Sequence, residues 1–212
     1  MSTAPRTYDG ARRRAAAAKT RRRIVEAAGR LFSEHGYAGT SVKAVASAAD
    51  ASPESIYLIF GTKAALLAAW IDVSVAGDDS PVGFVDREDV RALSALATFD
   101  ARLAAAMAVN RAVNERVASP LAVLDAAAQS DPDIAALARR IEAARKEDVA
   151  RLLDVVLGDL PARRELKRGA MVDLVAALAS VHLYRSLVLG AGWTARRYEE
   201  EVGRQMRAAI LS

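Results

Sequence analysis

Residues 40–63 read TSVKAVASAADASPESIYLIFGTK, and the fold of the chain turns on how this stretch is punctuated. Thr40 is placed to cap a helix, its hydroxyl accepting an orphan backbone N–H. That helix turns Val42, Val45, Ala46 and Ala49 to one side. Asp50 then falls where a tight turn needs positive φ, which Asp tolerates better than most residues. Ser52 caps a third helix and Pro53 sits in its first turn, where the missing N–H costs nothing. Gly61 ends that helix, Thr62 caps the next and Lys63 opens it. Two short capped helices around a tight turn are the layout of a helix-turn-helix.

Upstream, Ile24, Ala27, Ala28, Leu31 and Phe32 recur at helical spacing and predict a first amphipathic helix closed by Gly36. Downstream, at 100° per residue, Ile56, Ile59 and Phe60 share one face of the third helix and are expected to pack on the first two. Glu54 and Leu58 then point away, flanked by Ser55 and Tyr57. A helix-turn-helix holds such an exposed helix where it can enter a major groove. Lys63, near a helix N-terminus with free N–H groups, suits a phosphate clamp. On this reading Thr40, Lys43 and Lys63 hold phosphates, Ser52 starts the reading helix, and Tyr57 gives its hydroxyl to the backbone. Glu54, Ser55 and Leu58 meet base edges: Leu58 a thymine methyl, Glu54 a cytosine N4. The plainer readings are that Glu54 serves the helix N-terminus and that Leu58 packs on Val42.

These motifs resemble the TetR family of bacterial transcriptional regulators. The likeness lies in FSEHGYAGTS at the end of the first helix, then VKAVASAA, then SPESIYLIFGTKAALL. The chain departs from the family pattern at Asp50, where Gly is usual, and at Leu58, where His or an aromatic residue is usual. The second departure bears on base preference. The resemblance implies an all-α protein: an N-terminal three-helix DNA-binding domain joined to a larger C-terminal helical bundle, about nine or ten helices in all. It further implies a homodimer formed through the last two helices, a palindromic operator on double-stranded DNA, and repression released by a small-molecule effector.

Charge agrees with the reader's position. The chain's net charge is +4, but residues 1–63 carry 11 Lys+Arg against 5 Asp+Glu, a net +6. Positive charge near a DNA reader supplies sequence-independent affinity by neutralising phosphates. The densest cluster is Arg12, Arg13 and Arg14 with Lys19, Arg21, Arg22 and Arg23. This cluster is read as a flexible arm and first-helix face along the DNA backbone, with Arg21, Arg22 and Arg23 among the DNA contacts, or as a solvated tail. Residues 1–19 are the basic flexible arm, 20–80 the DNA-binding domain, and 81–212 the ligand-binding and dimerisation domain.

Other classes fit less well. The 212 residues contain no Cys, which excludes disulfides, thiolate metal sites and cysteine catalysis. The two histidines, His35 and His182, lie far apart, and the HExxH, GxGxxG, phosphate-loop and GxSxG motifs are absent. An enzyme is therefore not expected, nor a cofactor or metal. No run approaches 18 apolar residues, so no transmembrane helix is expected, and the N-terminus has no apolar stretch that would make it a secretory signal; a cytoplasmic, nucleoid-associated protein is the simplest expectation. The alternative is a helical adaptor or membrane-surface protein with a basic N-terminus. The capped turn geometry after Gly36 weighs against it.

Beyond residue 80, helices are predicted over 87–96, 99–117, 119–129, 131–157, 165–188 and 194–211, with the loop from Gly77 to Asp86 as boundary. Asp131-Pro132 is a start signal, and Gly158 with Pro161 a stop. The helix over 165–188 carries Val172, Leu174, Val175, Leu178, Val181, Leu183, Leu187 and Val188 on most of its circumference. Such a helix needs neighbours on several sides, inside the monomer or from a second subunit; with 194–211 it is the dimer candidate. Trp70, Phe99, Met107, Asn110, Asn114 and His182 mix bulk with hydrogen-bonding groups, the lining a small-molecule pocket uses. Each alone is more often a core or surface residue.

Overall fold

A computed structural model describes residues 7–77, 84–160 and 166–211. Residues 1–6 of the basic arm, most of the expected boundary loop, and Pro161 lie outside the described residues. The described residues form helices and no strand. The helices are α1 (Thr7–Gly39), α2 (Val42–Ala48), α3 (Pro53–Phe60), α4 (Lys63–Ala76), α5 (Glu88–Arg91), α6 (Phe99–Ala128), α7 (Pro132–Leu157), α8 (Arg168–Leu178), α9 (Val181–Tyr184) and α10 (Ala195–Ile210). The all-α architecture expected from the sequence is the one observed.

The punctuation falls largely where the residues place it. Gly36 breaks α1 at φ 70°, Asp50 takes φ 47° in the turn, and Ser52 and Thr62 each accept the N–H three residues on. Asp131 caps α7 by accepting from Asp133 and Ile134. Gly29 lies where α1 meets α4. A Cβ there would stand 2.5 Å from Trp70 Nε1, so only glycine lets the indole approach.

Several boundaries differ from expectation, each for a physical reason. The first helix begins at Thr7, so the stretch expected as a flexible arm is helical from that residue. Its run of Arg, Ala and Lys consists of strong helix formers. Helix α6 is one helix rather than two and passes through Pro120. Val117, Pro120 and Leu124 are all buried, and their packing outweighs the one backbone bond that proline cannot make. The helix expected over 165–188 instead breaks at Ala179 and Ser180. Ser180 caps α9 through Leu183 N, Asn114 donates to the part-buried Ala179 carbonyl at 3.1 Å, and a π-turn over Arg185–Gly190 follows. Against the expectation that nothing here could span a bilayer, Arg168–Gly190 is long and apolar enough by length and composition alone. It is nonetheless tied to neighbouring helices by Lys146–Asp173 at 2.8 Å and by His182 and Arg185 on Asp125 at 3.1 and 3.3 Å.

Two apolar clusters hold the chain together. The first joins α1–α4 to Leu124, Ile134 and Leu137, so the core of the reader continues into α6 and α7. The second packs α6, α7, α8 and α10 around Tyr198, Met107 and Met171. Helix α4 belongs to the first cluster, and its far end is held by Arg116 of α6, which donates to the Ser74 and Val75 carbonyls at 2.9 and 3.0 Å.

Candidate nucleic-acid interface and cavity

Helix α3 is anchored by a single fully buried side chain, Ile56, with Phe60 half-buried beside it. Leu58 is 89% exposed and Tyr57 54%, so both stand outward as expected. Ile59 was expected in the core but is 40% exposed. At 100° per residue it sits 60° from Ile56 on the side away from Phe60, and the first helices do not reach round to cover it. Glu54 is exposed, and its carboxyl is held below its ordinary value first by its own backbone N–H and then by the Ser52 hydroxyl. Ser55 gives its N–H to Ser52 Oγ at 3.1 Å, and the two hydroxyls also lie 3.1 Å apart.

Two expected phosphate contacts take different roles. Thr40 is 2% exposed, and its hydroxyl donates to the carbonyls of Leu31 at 3.0 Å and Gly36 at 2.9 Å. The cap of α2 is Ser41, which accepts from Ala44 N at 3.1 Å. Thr40 therefore fastens the break in α1 and presents no hydroxyl to a phosphate. Lys63 donates to the Tyr37 and Thr40 carbonyls at 3.0 and 3.1 Å, with its ammonium 4.1 Å from the Tyr37 ring centroid. It staples α4 to the end of α1, and partial burial lowers its pKa. Lys43 on α2 is exposed.

The arginines of α1 serve the reader from behind. Arg23 donates to the Asp50 carbonyl at 2.8 Å, holding the turn that aims α3. Arg21 lies over the Phe60 ring at 5.5 Å from its centroid. Arg22, with Arg12 and Arg14 further back, is exposed.

Behind the reader is a cavity of about 1360 Å³ bordered by α4, α6, α7 and the α8–α9 break. Its walls include Met107, Asn110, Asn114 and His182, four of the expected lining residues, but neither Trp70 nor Phe99. Trp70 packs on Phe32 at 6.0 Å between ring centroids, and Phe99 is buried in the second cluster. Asn110 and Asn114 both donate to the Tyr198 hydroxyl at 3.4 Å. His182 is a surface residue paired with Asp125. Sequence reading missed Asp72, whose carboxyl desolvation pushes up while Arg21 pulls it down. The available signal was a lone carboxylate in the apolar run AAWIDVSVA. It also missed Arg145, which grips Glu142 with two bonds of 2.8 Å and donates to the Ala176 carbonyl at 3.1 Å. Among the described residues, no group of three or more His, Asp or Glu is placed to hold a metal ion.

The short exposed α3, its caps and its basic surroundings define a helix-turn-helix. Residues 24–70 match the model of the bacterial regulatory proteins of the tetR family. The whole fold is similar to that of an assigned TetR-family transcriptional regulator from Rhodococcus sp., at TM-score 0.67 and 18% identity, covering 91% of this chain and 98% of that one. It is also similar to an assigned transcriptional regulator from Saccharomonospora viridis in complex with choline, at TM-score 0.63 and 16% identity, covering 91% and 97%. A third likeness is to the ketosteroid transcriptional regulator KstR2 of Mycobacterium tuberculosis, at TM-score 0.52 and 21% identity, covering 91% and 95%. No curated protein matches the chain. At these identities the structural likeness is one of fold. The match to the tetR-family model is confined to residues 24–70, the helix-turn-helix and its flanking helices.

Proposed function

We propose that this regulator is a homodimeric repressor of a palindromic operator, released when a small molecule enters the cavity behind α4. The observation that carries this reading is the double duty of α4. Its first residue, Lys63, is stapled to the reader, while Ile71, Asp72 and Val73 line the cavity. A molecule in the cavity acts through its difference in affinity between two positions of α4, and so between two placements of α3.

Dimerisation is assigned to Arg168–Gly190, with α10 beside it. Only 22% of the apolar window in Arg168–Gly190 is buried within one chain, and Leu174 and Leu189 are exposed. Helix α10 contributes less apolar surface, because Tyr198, Val202, Met206 and Ile210 all turn into their own chain. Two copies of α3 would then enter major grooves about 34–36 Å apart. Lys43 and the exposed α1 arginines neutralise phosphates, and Tyr57 offers its hydroxyl to the backbone. The choline held by the similar fold from Saccharomonospora viridis supports a small-molecule site in this architecture.

Selection of bound duplexes from a random pool by the full chain, repeated with a panel of small molecules, tests this. The reading predicts symmetric half-sites and at least one molecule that releases them. Recovery of asymmetric or unrelated sequences would overturn it.

A further inference from the structure

Resting on the DNA-binding assignment above, we infer that α3 reads pyrimidine edges, chiefly the C5-methyl of thymine, through Leu58 and Ile59 as a joint apolar ridge. Helix α3 reads PESIYLIF and contains no Arg, Lys, Asn or Gln. These are the side chains that grip guanine or adenine with paired hydrogen bonds in the major groove, so that form of readout is unavailable to this helix. Beside Glu54 and Tyr57, α3 presents two aliphatic side chains: Leu58, 89% exposed and nearly opposite the Ile56 anchor, and Ile59, 40% exposed and 100° round the helix from Leu58.

Exposed aliphatic side chains lose free energy in water unless something covers them. The thymine methyl is the apolar feature of the major-groove edge, and aliphatic contact with it is an established mode of readout. Leu58 supplies one contact. Ile59, displaced from the core, supplies the second on the adjoining base step. Glu54 lies one turn before Leu58 on the same side and is exposed. As an ionised acceptor it suits the cytosine N4 donor and opposes the guanine O6 and N7 acceptors. Affinity comes from the surrounding cations and selectivity from methyl groups.

The test replaces each thymine of the selected operator, one at a time, with deoxyuridine, which removes only the methyl. Affinity of the full chain is measured at fixed salt. One or two positions per half-site should lose about fourfold per methyl. That loss should vanish in Leu58→Ala at one position and in Ile59→Ala at the other, with thermal midpoints near that of the unsubstituted chain. Selective duplex binding that is indifferent to deoxyuridine everywhere would overturn the inference and leave the DNA-reading assignment standing, with the ridge then covered by protein. Failure of the chain to select any duplex would overturn both.

Discussion

The Lys63 ammonium donates to the Thr40 carbonyl at 3.1 Å while the Thr40 hydroxyl donates to the Leu31 and Gly36 carbonyls at 3.0 and 2.9 Å. These two residues close the break at the end of α1 and fix where α2 and α4 begin. Neither is arranged as a phosphate contact, although residue type and position both suggest one. Lys63→Ala should therefore act first on stability. Losing two charge-assisted bonds to part-buried carbonyls costs about 1–3 kcal/mol, read as a lower urea midpoint with duplex absent. An unchanged midpoint with weakened binding to all duplexes would return Lys63 to the clamp role.

On the proposed function the phosphate contribution falls to exposed cations, Lys43 above all. Lys43→Ala should weaken binding to every sequence alike and reduce the slope of log affinity against log salt by about one unit. Equilibrium titrations at several salt concentrations, on selected and scrambled duplexes, provide the check. A sequence-dependent loss would mean that Lys43 meets a base.

Asp72 gives a pH signature. Desolvation raises its folded-state pKa above the ordinary value of 3.8, with Arg21 opposing. A carboxyl with a raised folded pKa holds its proton more tightly in the folded chain. Its contribution to stability is therefore full below the ordinary value and is lost as pH rises through the folded one. Because Asp72 is exposed, Asp72→Asn should be only slightly more stable than the unsubstituted chain at neutral pH, and that advantage should disappear in acid below 3.8. Thermal melts of both proteins across that range decide it. An advantage independent of pH would assign the effect to packing.

Arg102 ties the second cluster together. Its guanidinium donates to the carbonyls of Val156 at 2.9 Å, Leu157 at 3.3 Å and Leu96 at 3.0 Å, covering the end of α7. Gly158 follows at φ 56°, and a Cβ there would lie 2.9 Å from Arg102 Nη2. Arg102→Ala should cost about 2–3 kcal/mol by orphaning those carbonyls, measured by chemical denaturation. Gly158→Ala should also destabilise, through strain at positive φ as well as crowding of the guanidinium.

Local signals were legible in the sequence, and choices between near-equivalent neighbours were not. Asp50, Ser52, Gly61 and Thr62 each perform the turn or cap that their chemistry suggests, because those roles depend on the residue and one or two others. Thr40 and Ser41 offer the same hydroxyl one position apart, and tertiary burial under α1 decides which becomes the cap. Ile59 was assigned to the core by helical angle alone. Whether a position 60° from the anchor is covered depends on how far α1 and α2 extend, which no local pattern records. Separate helices were expected over 99–117 and 119–129, yet α6 runs unbroken through Pro120, with Val117, Pro120 and Leu124 all buried. Of the pocket residues, Met107, Asn110 and Asn114 reach the cavity because α6 runs along it, while Trp70 is taken by the close approach at Gly29. Asp72 and Arg145 became visible only once their helices were placed together.

The proposed function puts a symmetric pair of α3 helices on one operator. A hydroxyl-radical footprint of the full chain on its selected duplex tests it most directly. A symmetric dimer should leave two protected segments related by two-fold symmetry, with half-site centres about 10–10.5 base pairs apart or a multiple of that spacing. A single protected segment without symmetry would contradict it.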